Sequence, residues 1–199
     1  MRLTALLMLA GATSAWAQGG SEIYLVELQP ANGQITVGQP INITNRKGYD
    51  NQPAFSRDGK SVFYTMIDST GQADIYRFDV AARTTRRVTS TPESEYSPTP
   101  LRDGGISVVR VERDSTQRLW KFRNNEAAVL LPNVKPVGYH AWIDDDWLAL
   151  FVLGNPNTFR IAKVGNDTAA IAAYNIGRAI QRIPGERDIT FVQRGADSL

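Results

Sequence analysis

The chain has 199 residues, 42% of them hydrophobic and 21% charged, which is the composition of a folded globular protein and not of a disordered one. Its 22 basic and 20 acidic residues leave a formal charge of +2 with no basic run, which argues against nucleic-acid binding. It contains no cysteine, so neither disulfides nor thiolate metal sites are available and stability has to come from packing.

At the N-terminus, Arg2 precedes an apolar stretch at residues 3–12 and the small-x-small triplet Ala15-Trp16-Ala17. This is the form of a secretory signal cleaved after Ala17, which assigns residues 1–17 to export and residues 18–199 to a mature periplasmic or secreted domain. The apolar stretch falls short of the roughly 20 residues that a bilayer core requires, and no later segment reaches that length, so no membrane insertion is expected.

Short β-rich runs follow in series. Residues 22–44 hold the first two, opening with Ile23-Tyr24-Leu25-Val26-Glu27-Leu28. That motif returns as Ile75-Tyr76-Arg77-Phe78-Asp79-Val80, as Leu119-Trp120-Lys121-Phe122-Arg123 and, more faintly, as Ile161-Ala162-Lys163-Val164, at spacings of 52, 44 and 42 residues. A second marker keeps step with it: Phe55-Ser56-Arg57-Asp58-Gly59, Pro100-Leu101-Arg102-Asp103-Gly104, Trp142-Ile143-Asp144-Asp145-Asp146 and Arg182-Ile183-Pro184-Gly185-Glu186. From Asp58 to Asp103, Asp145 and Gly185 the steps are 45, 42 and 40 residues. Asp58, Gly59, Asp103 and Gly104 are read as structural turn residues, because glycine takes the positive φ that a tight hairpin demands.

Each corner leads into another β-rich run, at residues 61–66, 106–111, 147–153 and 188–193. The third is apolar almost throughout, which predicts burial on both faces. Residues 86–89, 129–131 and 171–174 supply a shorter fourth strand; the alanine-rich residues 169–173 are too few for a helix. Four strands in each period of 40–45 residues predict an all-β fold, a propeller of four-stranded blades. Whole blades are expected near residues 45–90, 91–132 and 133–175, with half blades at 22–44 and 177–195.

Tyr49-Asp50-Asn51-Gln52-Pro53-Ala54-Phe55-Ser56-Arg57-Asp58-Gly59-Lys60, followed by Gly71-Gln72-Ala73-Asp74-Ile75-Tyr76, resembles the WD-like repeat of the TolB propeller family. The pattern is proline, an aromatic, serine, any residue, Asp-Gly-Lys, and then an aliphatic-aromatic strand. Residues 96–122 keep it with Pro100 in place of the aromatic, and the later repeats lose Gly at one corner and Asp at the other. The resemblance covers about 170 residues and implies a six-bladed periplasmic propeller, which at about 43 residues per blade needs roughly 260. The expectation is therefore a truncated propeller of three whole blades and two half blades, or a closed four-bladed ring if the halves pair. No room precedes the first strand for the α/β domain of TolB proper.

Catalytic chemistry is hard to assemble from this inventory. His140 is the only histidine, so no multi-ligand zinc site is expected, and no cofactor or metal is assigned. There is no Gly-x-Ser-x-Gly nucleophile elbow and no glycine-rich phosphate loop. Asp144-Asp145-Asp146 lacks the alternating ligands of an EF-hand and reads as a solvated turn. The connections into the inner strands, at residues 48–52, 94–97, 137–140 and 177–181, carry Asp50, Asn51, Gln52, Glu95, Tyr96, Tyr139, His140 and Arg178. Aromatic and polar groups mixed in this way suit a protein or peptide surface.

The expected function is thus an exported, non-enzymatic propeller that binds a protein or peptide of the cell envelope around its channel. The alternative is the non-catalytic propeller portion of a secreted hydrolase of the prolyl oligopeptidase type, or of a polysaccharide lyase. Open strand edges at residues 23–28 and 188–193 further predict self-association.

Overall fold

The computed structural model describes residues 20–124 and 126–195; the proposed export signal lies outside them. All regular structure among the described residues is β-strand, and no helix is long and apolar enough to cross a membrane. The first strands are β1 (Tyr24–Leu25), β2 (Leu28–Ala31), β3 (Gln34–Val37) and β4 (Ile41–Asn42). They form one long hairpin interrupted near Glu27 and Gly38, so β1 pairs with β4 and β2 with β3 as separate ladders.

Three four-stranded antiparallel sheets follow, each a meander in chain order. The first contains β5 (Tyr49–Phe55), β6 (Ser61–Ile67), β7 (Ala73–Asp79) and β8 (Thr84–Arg87). The second contains β9 (Ser94–Pro100), β10 (Ile106–Val111), β11 (Gln117–Arg123) and β12 (Glu126–Val129). The third contains β13 (Val137–Trp142), β14 (Trp147–Val152), β15 (Thr158–Lys163) and β16 (Ala169–Tyr174). A two-stranded sheet of β17 (Ile176–Arg182) and β18 (Ile189–Gln193) ends the series.

Face-to-face packing of consecutive sheets explains the apolar runs. Because side chains alternate across a strand, a sheet sandwiched between two others needs apolar residues at successive positions. In β14, Leu148, Leu150 and Val152 pack toward the second sheet, against Val109, Leu119 and Leu131, whereas Ala149 and Phe151 pack on Ile176 and Ile180 of β17. The next interface back joins Ile75 to Ile106 and Val108, and the first joins Ile23 and Ile43 to Val62, Tyr64 and Phe78. Phe159 of β15 stacks on Phe191 of β18 at 4.5 Å between ring centroids. The alanine-rich segment is the outer strand β16: it pairs along β15, and this tertiary pairing outweighs alanine's helical preference.

The outer positions are exposed, and so are the two ends of the series. Tyr24, Leu28, Ile35 and Val37 at one end, and Val192 at the other, are each more than half exposed. This is the architecture of stacked propeller blades, three complete and two partial.

Candidate ligand-binding channel

The innermost strands β5, β9, β13 and β17 are seated side by side, and each carries a break in its regular pairing. Between Asn51 and Ala54 two residues of β5 face one of β6, and the same irregularity falls between Tyr96 and Thr99; β13 carries one extra residue between Val137 and Tyr139, and between Ile176 and Ile180 three residues of β17 face one of β18. Gln52 and Ser97 sit in their bulges at φ 58 and 54, a left-handed conformation uncommon for residues other than glycine. A bulge frees backbone groups and re-aims side chains, and here it turns a set of them toward the axis. Pro53 and Pro98 are tolerated because these are edge strands, with one side lacking a ladder partner.

Gln52 shows what fixes the strained position. Its Oε1 accepts from the Thr65 hydroxyl at 3.0 Å and from the Ser97 backbone N–H at 2.8 Å, so one amide joins the bulges of two sheets. The same kind of tie joins the next pair of sheets. His140 Nε2 lies 2.7 Å from Ser107 Oγ, and Trp142 Nε1 donates to that hydroxyl at 2.9 Å. Ser107 is fully buried and His140 is 8% exposed. Burial holds the imidazole pKa down to about 4, so it is neutral at pH 7. A serine beside a histidine suggests a nucleophile and its base. Here the hydroxyl is inaccessible, and His140 Nδ1 has no hydrogen-bond partner that would orient the ring.

The eight candidates carried by the presumed connections do not form one surface. Residues 49–52, 94–97, 137–140 and 177–181 lie within the inner strands themselves, and burial divides them. Asp50 and Glu95, 1% and 0% exposed, occupy matching positions 45 residues apart and point inward to arginines. Asp50 Oδ1 accepts from Arg46 Nε and Nη2 at 3.1 and 2.9 Å; Glu95 Oε1 accepts from Thr91 Oγ1 at 2.5 Å and Arg110 Nε at 3.0 Å. Arg110 is itself held over Trp120 and Phe122, 4.3 and 4.8 Å from their centroids. Burial raises both carboxyl pKa values, and the bonded partners offset part of that rise. These two acids are sheet-binding groups.

Gln52, Tyr139, His140 and Arg178 do line a common cavity of about 790 Å³. It extends along the inner strands toward the hairpin corners and takes in Arg57, Arg102, Asp103, Lys121, Asp144, Asp145 and Arg182. In the sequence Lys121 belongs to the recurring strand motif and the others to the hairpin-corner marker; their common step along the repeat was the available signal.

The corners are well formed. Asp58 Oδ1 accepts from the Ser56 hydroxyl and the Lys60 N–H, and Gly59 has φ +70. Asp103 Oδ1 accepts from the Gly105 N–H next to Gly104, at φ +84. Asp144 Oδ1 accepts from the N–H groups of Asp146 and Trp147, and no group of three or more potential metal-ligating side chains occurs among the described residues.

Asn51 and Tyr96 lie outside the cavity lining, toward the end where the inner strands begin. There Tyr49, at the start of β5, has its phenol pKa raised by burial and then by the nearby phenols of Tyr139 and Tyr96, with Arg178 acting the other way. Three inner strands thus contribute a tyrosine and the fourth an arginine to one end of the channel. Tyr49 was not among the candidates, although it lies in the segment 48–52 that supplied three of them.

No family model matches the chain. Similar solved structures include a protein described as TolB from Agrobacterium tumefaciens, at 15% identity and a TM-score of 0.60, covering 76% of this chain and 60% of that one. TolB from Acinetobacter baumannii aligns at 19% identity and a TM-score of 0.54, covering 76% of this chain and 41% of that one. A puromycin-hydrolysing peptidase of Mycobacterium tuberculosis aligns at 14% identity and 0.50, over 71% of this chain and 23% of the peptidase. The chain therefore spans less than two thirds of these proteins, and at such identities the likeness is one of fold. The meandering four-stranded sheets, their face-to-face packing and these similarities give the chain the architecture of a TolB-like β-propeller.

Proposed function

We propose that this protein is an exported, non-enzymatic propeller that binds a protein or peptide partner of the cell envelope through its channel. The observation that carries the reading is the convergence of four bulged inner strands on one cavity lined by tyrosine, glutamine and charged groups. Such a mixture is typical of binding surfaces, and concave sites of roughly 300–1,000 Å³ are the usual size for a ligand. The signal-like N-terminus supports a periplasmic or secreted location.

A photo-crosslinking amino acid placed at Gln181, which is exposed and lines the cavity, tests the reading. In envelope extract it is expected to capture a partner that the same probe at Arg86, on an exposed outer strand, does not. Capture from Arg86 alone would move the binding surface away from the channel.

The similarity to the puromycin-hydrolysing peptidase favours a second reading, in which the chain is the non-catalytic propeller portion of a secreted hydrolase. A nucleophile elbow encoded after Leu199 would decide for it.

A further inference from the structure

We propose that the channel takes an acidic peptide segment, gripped by the guanidinium groups of Arg57, Arg178 and Arg182. This rests on the channel-binding reading above and adds the chemistry of the ligand. Charge bookkeeping around the cavity carries it. Five cationic side chains line the cavity against three carboxylates, an excess of two, equal to the surplus of the entire chain. The carboxylates are already neutralised. Asp145 pairs with Arg102 at 3.0 Å, and Asp103 pairs with Lys121 at 2.5 Å and Arg123 at 3.5 Å. Asp144 pairs with Arg187 at 2.5 Å. Two of those partners, Arg123 and Arg187, come from outside the lining.

What is left is a set of guanidiniums without carboxylates. Arg57 and Arg178 are exposed and form no ion pair among the described residues, and Arg182 spends only its Nε, on the Glu186 carbonyl at 2.9 Å. Arg57 follows the first inner strand, and Arg178 and Arg182 belong to the last, so cations reach the cavity from both sides. An unpaired guanidinium presents a planar fork that binds carboxylate bidentately, and within a cavity it is less screened than on an open surface.

Arg178 and Arg182 are four residues apart on β17, with part of its irregular segment between them, so about 13 Å by the rise of a β-strand is the most that separates their backbones, a spacing that carboxylates at i and i+4 of an extended peptide can match. The tyrosine-bearing end of the channel, with Tyr49, Tyr96 and Tyr139, favours a peptide over a bare anion, since aromatic rings give contact area along a backbone.

Fluorescence anisotropy on the full mature chain tests this with a labelled decapeptide bearing glutamates at i and i+4, and with its glutamine counterpart. The acidic peptide is expected to bind about tenfold or more tightly than the glutamine peptide, and to lose about tenfold or more in Arg178→Gln/Arg182→Gln. Arg113→Gln, at an exposed arginine outside the cavity, should leave binding unchanged. Thermal melts of the variants check that folding is intact. Equal binding of both peptides, weakened by Tyr139→Ala, overturns the acidic preference while keeping the channel as the site. Acidic-peptide binding insensitive to the arginine replacements overturns the site as well. Displacement of the peptide by inorganic phosphate at matched charge concentration overturns the peptide in favour of a simple anion.

Discussion

Burial of His140 has a consequence for acid stability. Its pKa is near 4 in the folded state and about 6.5 in an unfolded chain. The folded-state value is depressed, so the stabilisation is fully present above pH 6.5 and is lost as pH falls toward 4, where the unfolded chain takes up a proton that the folded chain refuses. The shift corresponds to about 3 kcal/mol over that window. Asp50, Asp74 and Glu95 act with the opposite sign: burial raises their pKa values, so the stability linked to them is greatest below the unfolded carboxylate range and falls as pH rises through the folded values. Urea unfolding at pH 7 and pH 4.5 is therefore expected to show a stability difference that shrinks by about 2 kcal/mol in His140→Gln. An unchanged difference would mean that the imidazole is open to protons. Asp50 and Glu95 also illustrate a limit of sequence reading. A carboxylate in a presumed loop looks available for binding, and only the placement of Arg46 and Arg110 reveals that it is spent inside.

At the scale of the element, the hairpin corner at Asp58 and Gly59 separates backbone strain from steric strain. A Cβ built at Gly59 meets nothing within 4 Å, whereas φ is +70. Gly59→Val is thus expected to cost about 1–2 kcal/mol through conformation alone, lowering Tm by roughly 2–8 °C for a domain of this size. A melt unchanged by this replacement would show that the turn relaxes freely. Corners, second strands and aromatic third strands were legible because each has a residue-level cause: glycine for positive φ, continuous apolar runs for two-sided burial, alternation for half exposure. The inner-strand bulges were not, since Gln52 and Ser97 adopt positive φ without being glycine. What selects them is a hydrogen bond between two sheets, and no local pattern encodes it. The channel lining was half legible for the same reason: the repeat placed residues near the axis, but which of them face it depends on the bulge.

For the whole molecule, the ends of the sheet series matter most. Among the described residues β18 lacks a partner along its outer edge, and the β1–β4 ladder has an open edge at β1. Tyr24, Val192 and Phe191 are exposed nearby. Unpaired edges beside apolar side chains recruit other strands. A polypeptide of residues 18–199 is expected to run larger than a monomer in size-exclusion chromatography; a compact monomer would show that β18 and β1 pair within one chain. The distribution of the core has another effect. Every apolar cluster joins only two consecutive sheets, so each sheet's stability depends on its immediate neighbours and very little on remote ones. Damage to one interface stays local, and loss of structure should travel inward from the termini like fraying in a stack of plates. The second four-stranded sheet, central in the series and packed against a complete sheet on each face, would be the last to give way.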